Sequence, residues 1–98
     1  MTGMTLKNFI QIVIDYDEIE FSYRGIEYNF QKELAEDGDA VISIWQGGEN
    51  PKCCYSVKVP DDKESFKAAS KNLVDAKIFF DNKSIVEGEK NIHVEFFT

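Results

Sequence analysis

Few side chains in this sequence have the type and spacing that chemistry demands. A single histidine, His93, excludes multi-histidine metal sites and two-histidine catalytic schemes, and no Ser or Cys stands in a nucleophile motif. Only a triad gathered from distant residues stays open, and His93 beside Glu95 reads as an exposed strand residue. Cys53-Cys54 lacks the second ligand pair of a zinc site and is not the redox C-x-x-C spacing. Adjacent residues of a strand point to opposite faces, so the two thiols are a poor disulfide pair, one packing as a small hydrophobe and the other near the surface. Asp37-Gly38-Asp39, with Glu33 and Glu36 nearby, offers hard oxygens but not the alternating acids, central Gly and closing Glu of a calcium loop, so it reads as a solvated turn. Gly47-Gly48 is not followed by Gly-Lys-Ser/Thr or a helix start, and is a hairpin loop rather than a phosphate cradle. The expectation is therefore no catalytic residue, no metal and no cofactor.

Charge and one indole remain. Eighteen acidic residues against eleven basic ones give a formal charge of −7, and the basic residues are scattered, so nucleic acid is a poor direct partner. Asp15, Asp17, Glu18, Glu20 and Glu27 are expected to gather on or beside one sheet face. Carboxylates spaced along strands resemble a row of phosphates, as in a DNA mimic that blocks a nucleic-acid enzyme; an ordinary solvated face has the same periodicity. Trp45 lies on the opposite side of its strand from Ile42 and Ile44. Trp is usually well covered within its own domain, which favours burial, whereas an exposed indole is a common interface anchor.

These groups are positioned by a hairpin over 18–31. Two period-2 runs flank Arg24-Gly25, so a tight loop there sets Tyr23 opposite Ile26, Phe21 opposite Tyr28 and Ile19 opposite Phe30 on one face. Ser22 with Glu27, Glu20 with Asn29 and Glu18 with Gln31 form the other. A lone hairpin is marginal in water, so something must cover the apolar side.

Before it, Leu6, Phe9, Ile10, Val13 and Ile14 fit helical spacing with Thr5 as cap, although the β-branched Ile12-Val13-Ile14 argues for a strand; helix is preferred because it gathers the apolar residues on one stripe. After it, Ala40–Gln46 reads as an interior strand with apolar groups on both faces, and Lys52–Val59 as a fourth strand with Cys53, Tyr55, Val57 and Val59 on one side. The four strands read as an antiparallel meander. Pro60 closes the last of them, and Asp61 to Glu64 has the spacing of a capping box opening a helix near 61–77, with Phe66, Ala69, Leu73, Val74 and Ala76 as its buried stripe. Residues 84–90 suggest one helical turn stopped at Gly88. The final strand, 91–97, is expected to face Ile92, Val94 and Phe96 inward and His93, Glu95 and Phe97 outward.

Thr5-Leu6-x-x-Phe9, Glu18-Ile19-Glu20-Phe21-x-Tyr23-x-Gly25-x-x-Tyr28 and Asp75-Ala76-Lys77-Ile78 together resemble small uncharacterised proteins of Gram-positive gut bacteria and their mobile elements, over about half the chain. The resemblance implies no activity and no site residue, and it favours helix for residues 5–14.

The length suits one α+β domain, two-layered, with an antiparallel meander sheet of roughly four or five strands and one or two helices on one face. No basic stretch followed by a long apolar one opens the chain and no run reaches membrane-span length, so a reduced cytoplasm is the expected setting. A non-enzymatic interaction or regulatory protein, acting through Glu18, Glu20, Glu27, Asp15, Asp17 and Trp45 on an unknown protein partner, is the leading expectation. Its rivals are the DNA mimic, a ligand binder or enzyme using the Tyr23, Tyr28 or Tyr55 hydroxyl with a carboxylate between helices and sheet, and a homodimer through an open sheet edge.

Overall fold

The computed structural model describes every residue from Met1 to Thr98. Its elements are α1 (Leu6–Asp15), β1 (Glu18–Tyr23), β2 (Ile26–Leu34), β3 (Ala40–Gln46), β4 (Lys52–Val59), α2 (Lys63–Asp75), a 3-10 turn (Glu89–Asn91) and β5 (Ile92–Phe97). The sheet is antiparallel throughout, in the order β4-β3-β2-β1-β5. The meander of β1 to β4 forms as expected, and the last strand returns to lie beside β1. Both helices lie on one face, giving the two-layer α+β arrangement.

The hairpin carries the expected register, Tyr23 opposite Ile26, Phe21 opposite Tyr28 and Ile19 opposite Phe30. Arg24 and Gly25 both take positive φ, 50° and 81°, the backbone of a two-residue turn whose twist matches that of the strands it joins. The greasy side so formed is the floor of the core. Phe21 meets Phe9 edge-on at 5.5 Å between ring centres, and Phe79 stacks on Tyr23 at 3.8 Å. Ile42 and Ile44 of β3 and Ile92 and Val94 of β5 extend the same buried floor.

Helix wins over strand at residues 6–15 because Phe9, Ile12 and Val13 bury one stripe, and Thr5 Oγ1 accepts from the Asn8 N–H at 3.2 Å. At the other end of α1 the Lys32 ammonium donates to the Val13 and Ile14 carbonyls at 3.1 and 2.8 Å, closing backbone acceptors that a helix end leaves open. The same ammonium lies 4.3 Å from the centre of the Phe66 ring, and burial pulls its pKa down.

Several local expectations are corrected. The cap of α2 is Asp62, not Asp61: the Asp62 N–H bonds back to the Pro60 carbonyl, which moves the helix start on by one residue, and Asp62 Oδ1 accepts from Ser65. The helix is shorter than 61–77, and its last buried residues are Leu73 and Val74, with Ala76 half-buried beyond it. The single turn expected before Gly88 forms, with the Gly88 N–H donating to the Ser84 carbonyl at 2.9 Å, and the 3-10 turn follows directly. Ahead of it, Ser84 and Glu87 exchange backbone and side-chain hydrogen bonds at 3.1 Å, a capping box spent on a single turn. With Lys77 as its partner, Glu87 is held down to about 2.

Two bulges overturn the strict alternation assumed for the outer strands. Between β3 and β4 the register shifts so that Cys53 sits opposite Trp45, while Tyr55 sits opposite Ile44; Cys53 therefore leaves the row of Tyr55, and Cys54 packs on the rim of the core. Between β1 and β5 the shift makes Glu95 the extra residue, so Phe96 pairs with Glu20 and Phe97 with Ile19. Phe96 thus faces outward and Phe97 inward, the reverse of the expected order, and Phe97 meets Tyr16 edge-on at 5.4 Å.

Candidate functional site

The helix-free face of the sheet is built from the residues between the core positions. One cross-strand row runs Trp45, Asn29, Glu20, Phe96 over β3, β2, β1 and β5. Adjacent strands are about 4.8 Å apart, so the backbones at the two ends of this row, at Trp45 and Phe96, are separated by about 14 Å. A second row, nearer the hairpin loop, runs Glu27, Ser22, His93, and a third, on the other side, runs Ser56, Ser43, Gln31, Glu18. Along β1, Glu18 and Glu20 are separated by about 7 Å, the repeat of same-face residues on a strand.

The sequence expectation that Glu18, Glu20, Glu27 and Trp45 share a face holds in this geometry. Asp15 and Asp17 do not join them. Asp15 ends α1 in the helix layer, where Gln11 donates to it at 2.8 Å and Lys63 of α2 lies 3.4 Å away. Those bonds, the Gln11 amide foremost, hold its carboxyl below the ordinary range. Asp17 borders a hollow of about 300 Å³ with Lys32 and Asp61. The link between α1 and β1 turns both acids toward the helices, a direction that periodicity inside the strands could not reveal.

Trp45 is not covered as its residue type suggested. It remains 36% exposed because nothing packs on this face, and its indole N–H donates to Ser43 Oγ at 3.2 Å. Phe96 is 48% exposed at the other end of the row. Between them, Asn29 Oδ1 is buried without a donor, a state that costs roughly 1–3 kcal/mol for a neutral acceptor. Asn29, Glu95 and Phe96 are not among the site residues expected from the sequence; the Glu20–Asn29 pairing was legible, the bulge that brings Phe96 alongside was not.

The electrostatics of the face are one-sided. The four ion pairs are Arg24–Asp81, Lys58–Asp37, Lys63–Asp15 and Lys77–Glu87. None uses Glu18, Glu20, Glu27 or Glu95, and Lys58, at the β4 side of the face, is already engaged by Asp37. Ser22 is small enough for Glu95 to reach Glu27 over β1. Loss of hydration pushes the Glu27 carboxyl up, and the hydrogen bond and charge of Glu95 push it further, with Glu20 adding to the same effect.

Elsewhere, polar groups are spent on structure. The Tyr23 hydroxyl donates to Asp81 Oδ2 at 2.7 Å and receives Arg24 Nε at 3.2 Å, and Tyr28 Oη accepts from the Phe80 N–H at 3.2 Å. Both rings are buried, so the tyrosine–carboxylate pair forms inside the wall that pins the 78–83 loop to the sheet. Burial raises Tyr23 and Tyr55 alike, and Asp81 adds to the rise at Tyr23. A smaller hollow of about 190 Å³ lies beside Cys54, Lys77 and Phe80. No three His, Cys, Asp or Glu side chains converge as a metal site, and no helix is long and apolar enough to cross a membrane. At the sheet edges, Thr2 bridges β5 through its N–H to Ile92 and the Val94 N–H to its carbonyl, each 2.9 Å, with Thr2 Oγ1 2.7 Å from His93 Nδ1; β4 forms the other edge.

Fold and site together define a two-layer α+β protein with an acidic, aromatic-bracketed open sheet face. No protein-family model, curated protein or solved structure matches the chain.

Proposed function

We propose that this is a non-enzymatic interaction protein whose contact surface is the outer face of the sheet and whose partner is a protein with a basic surface. The observation that carries the reading is the uncompensated charge: Glu18, Glu20, Glu27 and Glu95 share a face and have no cationic partner, while the ion pairs of the molecule lie elsewhere. Like charges held together raise the free energy of the isolated protein and are relieved by an approaching cation. Trp45 and Phe96 add apolar area that a partner would remove from water, in the residue classes from which binding hot spots are drawn.

Partner capture from the native cell lysate tests the reading, with the protein immobilised and eluted in rising salt. The Glu18→Gln, Glu20→Gln, Glu27→Gln variant keeps side-chain size while removing the charge, and it should lose the captured partner. The intact protein should release it at modest salt, since exposed charge contacts are screened. Capture by the triple variant equal to that of the unaltered protein would refute this surface.

A further inference from the structure

We infer that the outer face is a receptor for arginine specifically: its occupant is an extended, arginine-bearing segment of the partner protein, laid across the strands along the row Trp45, Asn29, Glu20, Phe96. This deepens the proposed function and rests on it. Charge alone asks only for a cation, and a lysine would do. The row asks for more. Its two exposed rings stand at either end of a carboxylate and an amide, an arrangement of π-faces and acceptors in one line. A guanidinium is planar, stacks on an aromatic face and carries N–H donors around its edge, so it can cover a ring and reach a neighbouring carboxylate at once; an ammonium is a strongly hydrated point charge that does the second far better than the first. Within the row the accessible acceptor is the exposed Glu20 carboxylate, since Asn29 Oδ1 is buried. The neighbouring rows supply only carboxylates, Ser, Gln and His93, with no Lys or Arg to repel the ligand until Lys58, which Asp37 engages.

Spacing makes the inference sharper. Strand positions about 14 Å apart, one ring springing from each, match two arginines four residues apart in an extended segment, which advances about 3.4 Å per residue and returns side chains to the same side at every second position.

The test titrates the whole protein with two dodecapeptides of equal charge, alternating Arg-Ser and alternating Lys-Ser, at low salt. Trp45 is the only tryptophan, so its fluorescence reports occupancy of the row directly. The arginine peptide should bind about fivefold tighter than the lysine peptide, the scale of exposed cation–π contacts. Phe96→Ala, read by the same fluorescence, and Trp45→Ala, read by calorimetry, should each reduce that preference while leaving the lysine affinity nearly unchanged; circular dichroism checks that each variant is folded. Equal affinity for the two peptides, with both weakened by Glu20→Gln, would overturn the arginine inference and leave the acidic contact surface standing. An arginine preference untouched by both aromatic variants would also overturn it. Binding of neither peptide would overturn it as well, and the lysate capture by the Gln variant then decides the proposed function separately.

Discussion

The two faces of the sheet are made by the same strands, residue by alternate residue, yet they solve opposite problems. On the inner face each large group has partners: Phe21 touches the rings of Phe9, Tyr28 and Phe79, and the Lys32 ammonium is spent on helix carbonyls. On the outer face Glu18, Glu20, Glu27 and Glu95 lack cationic partners and two rings are left partly wet. A face whose only task was solubility would do better by interspersing both signs of charge and omitting the rings. The contrast therefore separates what folds the protein from what the protein has available for others.

The sharpest way to break the comparison uses two adjacent residues. Phe21→Ala should cost about 3–5 kcal/mol, a large share of the stability of a domain this size, while Glu20→Gln on the opposite side should move it by no more than about 0.5 kcal/mol. Urea unfolding at neutral pH measures both. Comparable losses would mean that the outer face contributes to folding after all.

A second, smaller effect tests how tightly the inner face is closed. A Cβ on Gly88 would lie 2.5 Å from Tyr23 Cε1 and 3.2 Å from Phe79 Cε2. Tyr23 cannot retreat, since it stacks on Phe79 and its hydroxyl is held by Asp81. Gly88→Ala should destabilise by about 1–3 kcal/mol, the range for overpacking. Adding one heavy atom at a solvent-facing position without such contacts, as Ala68→Ser does on α2, should stay within about 0.5 kcal/mol.

Lys32 is the exception on the inner face and gives the next prediction. Lys32→Met keeps the stem on Phe66 but removes the donor to the Val13 and Ile14 carbonyls. Relief of the buried charge offsets part of the loss, so the net cost should be about 1 kcal/mol. It should appear as faster hydrogen exchange of the Tyr16 amide, which caps α1 through Ile12, more than as a fall in global stability. Unchanged exchange there would show that the helix end does not depend on this ammonium.

How much of this was legible follows from what each feature depends on. The 18–31 hairpin could be read to the residue, because period-2 alternation and a two-residue loop fix register without help from the rest of the chain. The α1 helix was readable because its apolar stripe outweighed three β-branched residues. The bulges were not readable: an extra residue at Cys54 or Glu95 has no signature in residue type, yet it exchanges the faces of everything beyond it, so Phe96 was placed in the core and Cys53 beside Tyr55. Half of the aromatic bracket was therefore invisible in sequence. The other half, Trp45, was ambiguous only because local pattern cannot say whether a second layer covers the sheet.

The smallest effect is the most specific to the outer face. Because Glu27 holds its proton more tightly when folded, that proton contributes stability present in full below the ordinary value of 4.5 and lost as the pH rises through the higher folded value. At neutral pH the charged Glu27 stands partly desolvated beside Glu95 and Glu20. Glu27→Gln presents to Glu95 a permanent donor in place of a removable one. The variant should thus unfold at a slightly higher urea concentration than the unaltered protein at pH 7, and the difference should shrink as the pH falls to 4.5 and below, where Glu27 of the unaltered protein is itself protonated. Glu18→Gln, in the row away from Glu95, serves as the control and should show a smaller difference between the two pH values. If both variants respond alike, the repulsion belongs to the net charge of the molecule and not to the Glu27–Glu95 contact over Ser22.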